Sequence, residues 1–417
     1  MKNNGNKLAV SLKKLQKFQN ENVLTVVKTA DLGRIHLDRL VKNGFLQEVI
    51  KGWYILARPD ENRGDTTNWY SAYWAFIAKY ANYRFGKNWC LSAEQSLIFH
   101  SGDKTVPKQI IIRISKGSNN VLNLLHKTSI LYFRASIAKP LFYDGQFGLH
   151  LYSLPEALIE CSPDFFKTDP ITTRTCLSLI SDVSDILKIL IERGQTKKAG
   201  RLAGALRNLG YRSKADEIVA TMKRMNYDVR EADPFCEHTT AVPYTHPISP
   251  YAARLALMWD KMRKTVIKNF PKPQSKNTNI SQCMKEIDEQ YKFDAYNSLS
   301  IEGYQITDDL IAKVKSGRWN PQKNPSDAQQ VNAMAARGYW QAFNAVKKSI
   351  NKILLGKNAG KIAANEHKIW YQELFAPSVA AGLLKPADLI GYRMHQVYIR
   401  ASIHTPLNPQ AVKDAMP

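Results

Sequence analysis

Between Ser11 and Leu56 the apolar pattern changes from helical to strand spacing, and this switch constrains the fold more tightly than any other feature. A helix is expected from about Ser11 through Gln19, followed by the apolar run Val23-Leu24-Thr25-Val26-Val27. Thr29 is placed as the N-cap of a short turn Ala30-Asp31-Leu32. Gly33 makes the bend. A second helix from Arg34 to about Asn43 then sets Leu37, Leu40 and Val41 on one face and leaves Arg34, His36, Arg39 and Lys42 toward solvent. Gly44 ends that helix. Phe45–Ile50 and Gly52–Leu56 flank Lys51-Gly52 as the two strands of a hairpin.

Helix, turn, helix and hairpin in that order describe a winged helix, whose second helix can enter the major groove while the wing touches the backbone. Arg34, His36, Arg39, Lys42 and Lys51 are therefore the candidate DNA-contacting side chains; the alternative is an ordinary solvated helix face. A net charge of +23 and a pI near 9.6 favour a polyanionic partner without specifying one. The order Leu37-x-Arg39-Leu40-Val41-Lys42-Asn43-Gly44-Phe45-Leu46, continuing to Lys51-Gly52-Trp53-Tyr54-Ile55-Leu56, resembles the winged helix of AbiEi-type antitoxins. Cys90 to Gly102, with Ser92-Ala93, Ser96-Leu97 and His100-Ser101-Gly102, is similar to a segment of the same family. That resemblance implies operator binding by the helix and a regulatory role for the region C-terminal to the winged helix.

Gln109–Ile114, Ile130–Arg134 and Leu149–Leu154 are strand-like in their β-branched and aromatic content, and Pro155 opens a helix. His100 has no serine, cysteine or carboxylate constellation around it and reads as a packing histidine. From Leu177 to Val229 the pattern is helical. There Lys197, Lys198, Arg201, Arg207, Arg212 and Lys214 gather around Leu202, Leu206 and Leu209. They form either a cationic face adding phosphate contacts or a solvated one.

The C-terminal part is organised around Asp294–Thr307. Ser298 and Glu302 lie one helical turn apart, and Gly303 follows as a left-handed stop. Gly338-Tyr339-Trp340-Gln341-Ala342-Phe343, Leu374-Phe375-Ala376-Pro377, Gly391-Tyr392-Arg393 and Val397-Tyr398-Ile399-Arg400 follow in order, and together they resemble the Fic family. That family transfers AMP from ATP to protein hydroxyls. The resemblance implies that Ser298-x-x-x-Glu302-Gly303 is an inhibitory motif, with Glu302 as a brake that ion-pairs a catalytic-loop arginine. Val397, Ile399, Ala401 and Ile403 alternate with Tyr398, Arg400 and Ser402, a strand period, and in the family this stretch is a flap that docks the target. None of the nine histidines begins the family's catalytic motif H-[FY]-x-[DE]-G-N-G-R. The expectation is thus a Fic-type chain cut before its active site, with no catalytic residue of its own. ATP and Mg2+ are implied only where the catalytic part is restored.

The expected architecture is α+β and mostly helical. It comprises a winged helix (1–58), an α+β middle domain (59–235), a proline-rich linker (236–250) and an incomplete all-α Fic-type domain with a β-hairpin flap (251–417). Within the last domain, Tyr251 to Phe270 reads as an amphipathic helix. Five scattered cysteines without C-x-x-C read as reduced thiols and neither a metal site nor a disulfide frame. Leu8-Ala9-Val10 is too short for a signal h-region, and Trp74–Ala78 is too short to span a membrane. The protein is therefore expected in the cytoplasm, with no membrane partner. Two functions stay open. One is a Fic-family member reduced to brake, flap and regulator, acting on a protein target or with a separate catalytic Fic chain. The other is a DNA-binding regulator of toxin–antitoxin type with a Fic remnant that binds partners.

Overall fold

A computed structural model of the chain describes residues 2–21, 26–59, 66–137, 141–236, 249–271, 279–316, 331–394, 396–399 and 402–416. The chain is α+β and mostly helical. It divides into two compact units, Met1–Lys268 with Met394–Met416, and Asn269–Arg393. The boundary between them thus lies after the proline-rich stretch 236–250, of which 237–248 fall outside the described residues.

The first unit opens with α1 (Lys2–Glu21), β1 (Val26–Lys28), α2 (Thr29–Leu32), α3 (Arg34–Lys42), β2 (Leu46–Ile50) and β3 (Trp53–Leu56). The first helix is longer than its apolar pattern suggests. Val23, Leu24 and Thr25 lie outside the described residues. The strands form an antiparallel sheet of order β1-β3-β2. Leu15, Val27, Leu32, Leu37, Leu40 and Leu46 make a small core, each fully buried side chain contributing about 1.5–3 kcal/mol. Thr29 is the first residue of α2 rather than its cap: its hydroxyl donates to the Gly52 carbonyl at 3.4 Å, and the Asp31 carboxylate accepts from the Lys28 backbone N–H at 2.8 Å.

This part of the fold shares a core with the segment that follows it. Helix α4 (Thr67–Phe85) lays Trp69, Tyr73 and Phe76 into one core with Val26, Val49, Trp53 and Ile55. The Lys79 ammonium donates to the Val26 carbonyl at 2.8 Å and lies 3.5 Å from the Asp31 carboxylate. Beyond it come β4 (Trp89–Leu91), α5 (Ala93–His100), β5 (Gln109–Ile114), β6 (Asn120–Asn123), β7 (Ser129–Arg134), β8 (Leu141–Asp144) and β9 (Leu149–Tyr152). Four of these strands form a sheet of order β4-β5-β7-β6 in which β5 and β7 are parallel, and β8 pairs with β9.

Six helices come next: α6 (Leu154–Glu160), α7 (Phe165–Thr168), α8 (Pro170–Ser178), α9 (Ser184–Glu192), α10 (Thr196–Asn208) and α11 (Arg212–Arg224). Their shared core includes Leu158, Phe166, Leu177, Ile186, Leu190, Leu202, Leu206 and Ile218. Gly200 and Gly204 on α10 let the irregular segment 230–233 cross directly over the helix. A Cβ on Gly200 would stand 1.9 Å from the Arg230 carbonyl oxygen, and one on Gly204 would stand 2.3 Å from that of Ala232.

The root of α12 (Pro250–Asn269) also belongs to this unit: Ala253 is buried and the Arg254 guanidinium meets the Asp103 carboxylate at 2.6 Å. So does the segment 394–416, with α17 (Pro409–Ala415) at its end. Val106 donates its backbone N–H to the Ile403 carbonyl at 3.2 Å, and Asn408 donates to the Tyr251 hydroxyl at 2.9 Å. None of the described residues at 396–403 lies in a strand. Val397, Tyr398, Ile399, Ser402 and Ile403 are irregular, and the Ser402 N–H donates to the Ile399 carbonyl. Arg400 and Ala401 lie outside the described residues. Among the described residues of this stretch, the alternating pattern is not accompanied by a paired strand.

The second unit contains α13 (Ile280–Ile301), α14 (Asp308–Lys315), α15 (Val331–Leu354) and α16 (Ala359–Ala380). Tyr291, Ala295, Leu299, Ile311, Val314, Met334 and Ala336 form its core. Gly338 brings α15 and α16 together so closely that a Cβ there would meet the Leu374 carbonyl oxygen at 1.9 Å. This close approach explains why glycine stands in the run Gly338-Tyr339-Trp340.

Candidate functional site

Helix α3 has two faces. Leu37 and Leu40 point into the core, whereas Val41, expected beside them, is 37% exposed. The outward row is Arg34, Ile35, Asp38, Val41 and Lys42. Ile35 is 72% exposed, a placement that periodicity does not reveal because a lone isoleucine between polar residues carries no repeat. Arg34 faces Asp38 at 3.9 Å with both side chains largely exposed, so the guanidinium remains available. Lys51 stands exposed in the turn between β2 and β3.

Two of the five expected contact residues face the other way. Arg39 donates through Nη1 to the Lys7 carbonyl at 2.9 Å and to the Ser11 hydroxyl at 2.8 Å. His36 places Nδ1 3.0 Å from the same hydroxyl, and Ser11 itself is fully buried. These side chains dock α1 against α3. The reason is the full length of α1, whose first turns precede the Ser11 start that the sequence pattern marks.

The basic cluster on α10 and α11 is engaged within the fold. Lys198 meets Glu160 at 2.8 Å, and Arg193 chelates Glu156 at 2.6 and 3.2 Å. Arg201 donates to the Ile159 carbonyl at 2.9 Å, and Arg207 pairs with Glu231 at 2.6 Å and Asp216 at 2.7 Å. Lys214 donates to the Ile180 carbonyl. Lys197 and Arg212 remain exposed. Burial opposes the ionised form of Glu160, but the hydrogen bond and charge of Lys198, with Arg193, outweigh it and hold the carboxyl below its usual value.

His100 is a packing residue in its geometry: Nε2 lies 2.8 Å from the Tyr152 carbonyl and the ring tilts against Phe142. Burial lowers its pKa. Beside it, burial brings the Lys104 ammonium down to about 8.

In the second unit, α13 ends at Ile301, and Gly303 takes φ +86. Gly303 N–H donates to the Ser300 carbonyl and Tyr304 N–H to that of Leu299, which closes the helix in the left-handed manner expected of this glycine. Ser298 and Glu302 both line a cavity of 390 Å³, with Leu299, Met334, Tyr339 and Phe375 among the other walls. Tyr339 donates to the Asp294 carboxylate at 2.5 Å and lies 3.2 Å from the Ser298 hydroxyl. Its burial, and then its bond to Asp294, push its pKa up to about 12, so the phenol stays a donor at neutral pH. The Glu302 side chain is exposed at the rim. The Tyr339–Asp294 pair is invisible in the sequence, where the two residues are too far apart for any periodic relation.

Among the described residues, no group of His, Cys, Asp and Glu could hold a metal ion. No described helix is long and apolar enough to cross a membrane. No family model, curated protein or solved structure matches this chain.

Proposed function

We propose that the chain is a DNA-binding regulator that lays the outward face of α3 in the major groove. The observation that carries this reading is the row Arg34, Ile35, Val41 and Lys42, exposed on a helix whose opposite face is fixed by Leu37 and Leu40. Arg34 can chelate a guanine edge, and the Ile35 side chain can meet a thymine methyl. Lys42 and Lys51 flank that row as phosphate contacts. Asp38 faces the same side and opposes binding to phosphate, so α3 reads a groove floor rather than serving as a uniform cationic strip. Footprinting on duplexes taken from upstream of the chain's own coding region tests this. A protected site of about one helical turn, lost in Arg34→Ala/Ile35→Ala, supports it; uniform weak binding unaltered by that variant contradicts it.

A second reading is supported by the placement of Ser298 and Glu302 on one cavity. On this reading the second unit is a Fic-type regulatory module, with Glu302 as its brake. A separate chain bearing the H-[FY]-x-[DE]-G-N-G-R motif would supply the AMP transfer from ATP with Mg2+, and the segment Val397–Ile403 would contact the target. Glu302→Gly in such a reconstituted pair should raise labelled-AMP transfer to protein. Glu302→Gln should raise it less, because one acceptor survives while the charge-assisted pair is lost. Unchanged transfer in both variants removes the reading.

A further inference from the structure

We propose that the cavity between the end of α13, α15 and α16 binds a small organic cation, a primary ammonium group carried on a compact apolar body of one or two rings. All of its walls lie within the second unit. Leu299, Met334, Ala335, Leu374 and Phe375 supply apolar surface for the body. At 390 Å³ the cavity falls in the lower part of the range of about 300–1,000 Å³ found for small-molecule sites, which suits a body of that size. Glu302 is the one charged side chain among the walls.

Charge selects the sign of the ligand. Glu302 caps the C-terminal end of α13, a helix of 22 residues with no basic residue in its last turn. The partial negative charge of a helix C-terminus adds to that of the carboxylate. Among the described residues no side chain forms an ion pair with Glu302. A cation seated there meets an uncompensated negative site, whereas a phosphate or carboxylate finds no lysine, arginine or histidine in the walls.

The hydrogen bonds around the cavity select a donor for the same end. Tyr339 gives its phenolic hydrogen to the Asp294 carboxylate at 2.5 Å. The Ser298 hydroxyl, 3.2 Å from the phenolic oxygen, can then give its own hydrogen to that oxygen and turn lone pairs toward the cavity. An ammonium head has three hydrogens to place, and Ser298 Oγ and the Glu302 carboxylate stand one helical turn apart to accept them. Apolar walls decide between a free amine and the arginine of a protein. A guanidinium on a linear stem leaves the surface of Met334, Leu374 and Phe375 unfilled, whereas a ring covers it.

Surface plasmon resonance on the immobilised full chain at neutral pH tests this with 2-phenylethylamine and tryptamine, each beside its alcohol and its carboxylate analogue. At least one amine should bind with a dissociation constant on the order of 100 µM. Its alcohol should bind roughly 5-fold more weakly, the gain from one exposed charge pair, and its carboxylate should give no signal. Glu302→Gln, a change at the exposed rim, should remove the preference of amine over alcohol. Ala335→Leu, which fills the cavity, should abolish binding of both with the far-ultraviolet dichroism unchanged. Absence of binding by either amine to about 5 mM, a limit set well above the expected constant, overturns the proposal. So does an amine preference that survives Glu302→Gln, or binding that survives Ala335→Leu. Tighter binding of acetyl-arginine-methylamide than of either amine also overturns it and assigns the cavity to the arginine of a protein. The readout uses neither DNA nor a catalytic chain, so it stands apart from both functional readings.

Discussion

Helix α3 and the α10–α11 pair look alike as sequence: each sets arginines and lysines around leucines. Folded, they differ in which of these cations are engaged. On α10 and α11 most of the cations end on acceptors of the same unit: Lys198 on Glu160, Arg201 on the Ile159 carbonyl, Arg207 on Glu231 and Asp216, and Lys214 on the Ile180 carbonyl. On α3, Arg34 and Lys42 remain exposed, with only a long, solvated contact from Arg34 to Asp38. Formal charge counts both regions equally; availability to a phosphate or a base edge does not. A basic side chain stays available to a partner only where the fold does not already engage it closely.

The largest effect is expected from the backbone that closes the α10 face. Gly200→Ala would drive a methyl group into the Arg230 carbonyl. Backbone cannot retreat as a side chain tip can, so the change should cost about 3 kcal/mol or more. It should also displace Glu231 from Arg207. Thermal unfolding of the variant measures the first effect, and increased nonspecific DNA retention at low salt measures the second. An unaltered melting temperature would show that segment 230–233 does not lie on the helix as described.

Arg39→Ala separates the two faces of α3 itself. The side chain holds Lys7 and Ser11, so its removal should cost about 1–2 kcal/mol and speed amide exchange in α1. Specific DNA affinity should fall less than in Arg34→Ala. The reverse ranking would return Arg39 to the groove-facing row.

Much of the fold is legible in the sequence, and the misses have identifiable causes. Leu37 and Leu40, Gly33 and Gly44, and the hairpin around Lys51-Gly52 are local signals, and each appears where periodicity and turn chemistry put it. Gly303 ends α13 for the same reason. Side-chain partners are not legible, because Glu231 for Arg207 and Asp294 for Tyr339 are chosen by tertiary packing. The sharing of one core by Trp53 and Trp69 likewise joins two segments that composition alone divides. The strand period at 396–403 has no strand in the described residues of that stretch: alternation is a property of the segment, whereas a strand needs a neighbour.

A smaller effect is expected at Glu160. Its carboxyl is held below the usual value in the folded chain, so its ionised form stabilises the fold above the unfolded pKa. That contribution is lost as pH falls through the depressed folded value. Glu160→Gln should therefore flatten the decline in stability between about pH 5 and 3, read by urea unfolding at each pH. A slope identical to wild type would mean that the Lys198 and Arg193 contacts contribute nothing in solution.

The comparison of the two basic faces is tested most directly by the salt dependence of DNA binding in paired variants. Fluorescence anisotropy on a duplex carrying the footprinted site should show Arg34→Ala/Lys42→Ala losing affinity, by roughly 1–3 kcal/mol if Arg34 chelates a base, with a salt slope shallower by about one for the lost lysine–phosphate contact. Lys198→Ala/Arg207→Ala should keep both the affinity and the slope of the wild-type chain while unfolding at a lower temperature. The opposite pattern, with binding lost from the α10–α11 variant and retained in the α3 variant, would contradict the assignment of α3 as the DNA-reading face.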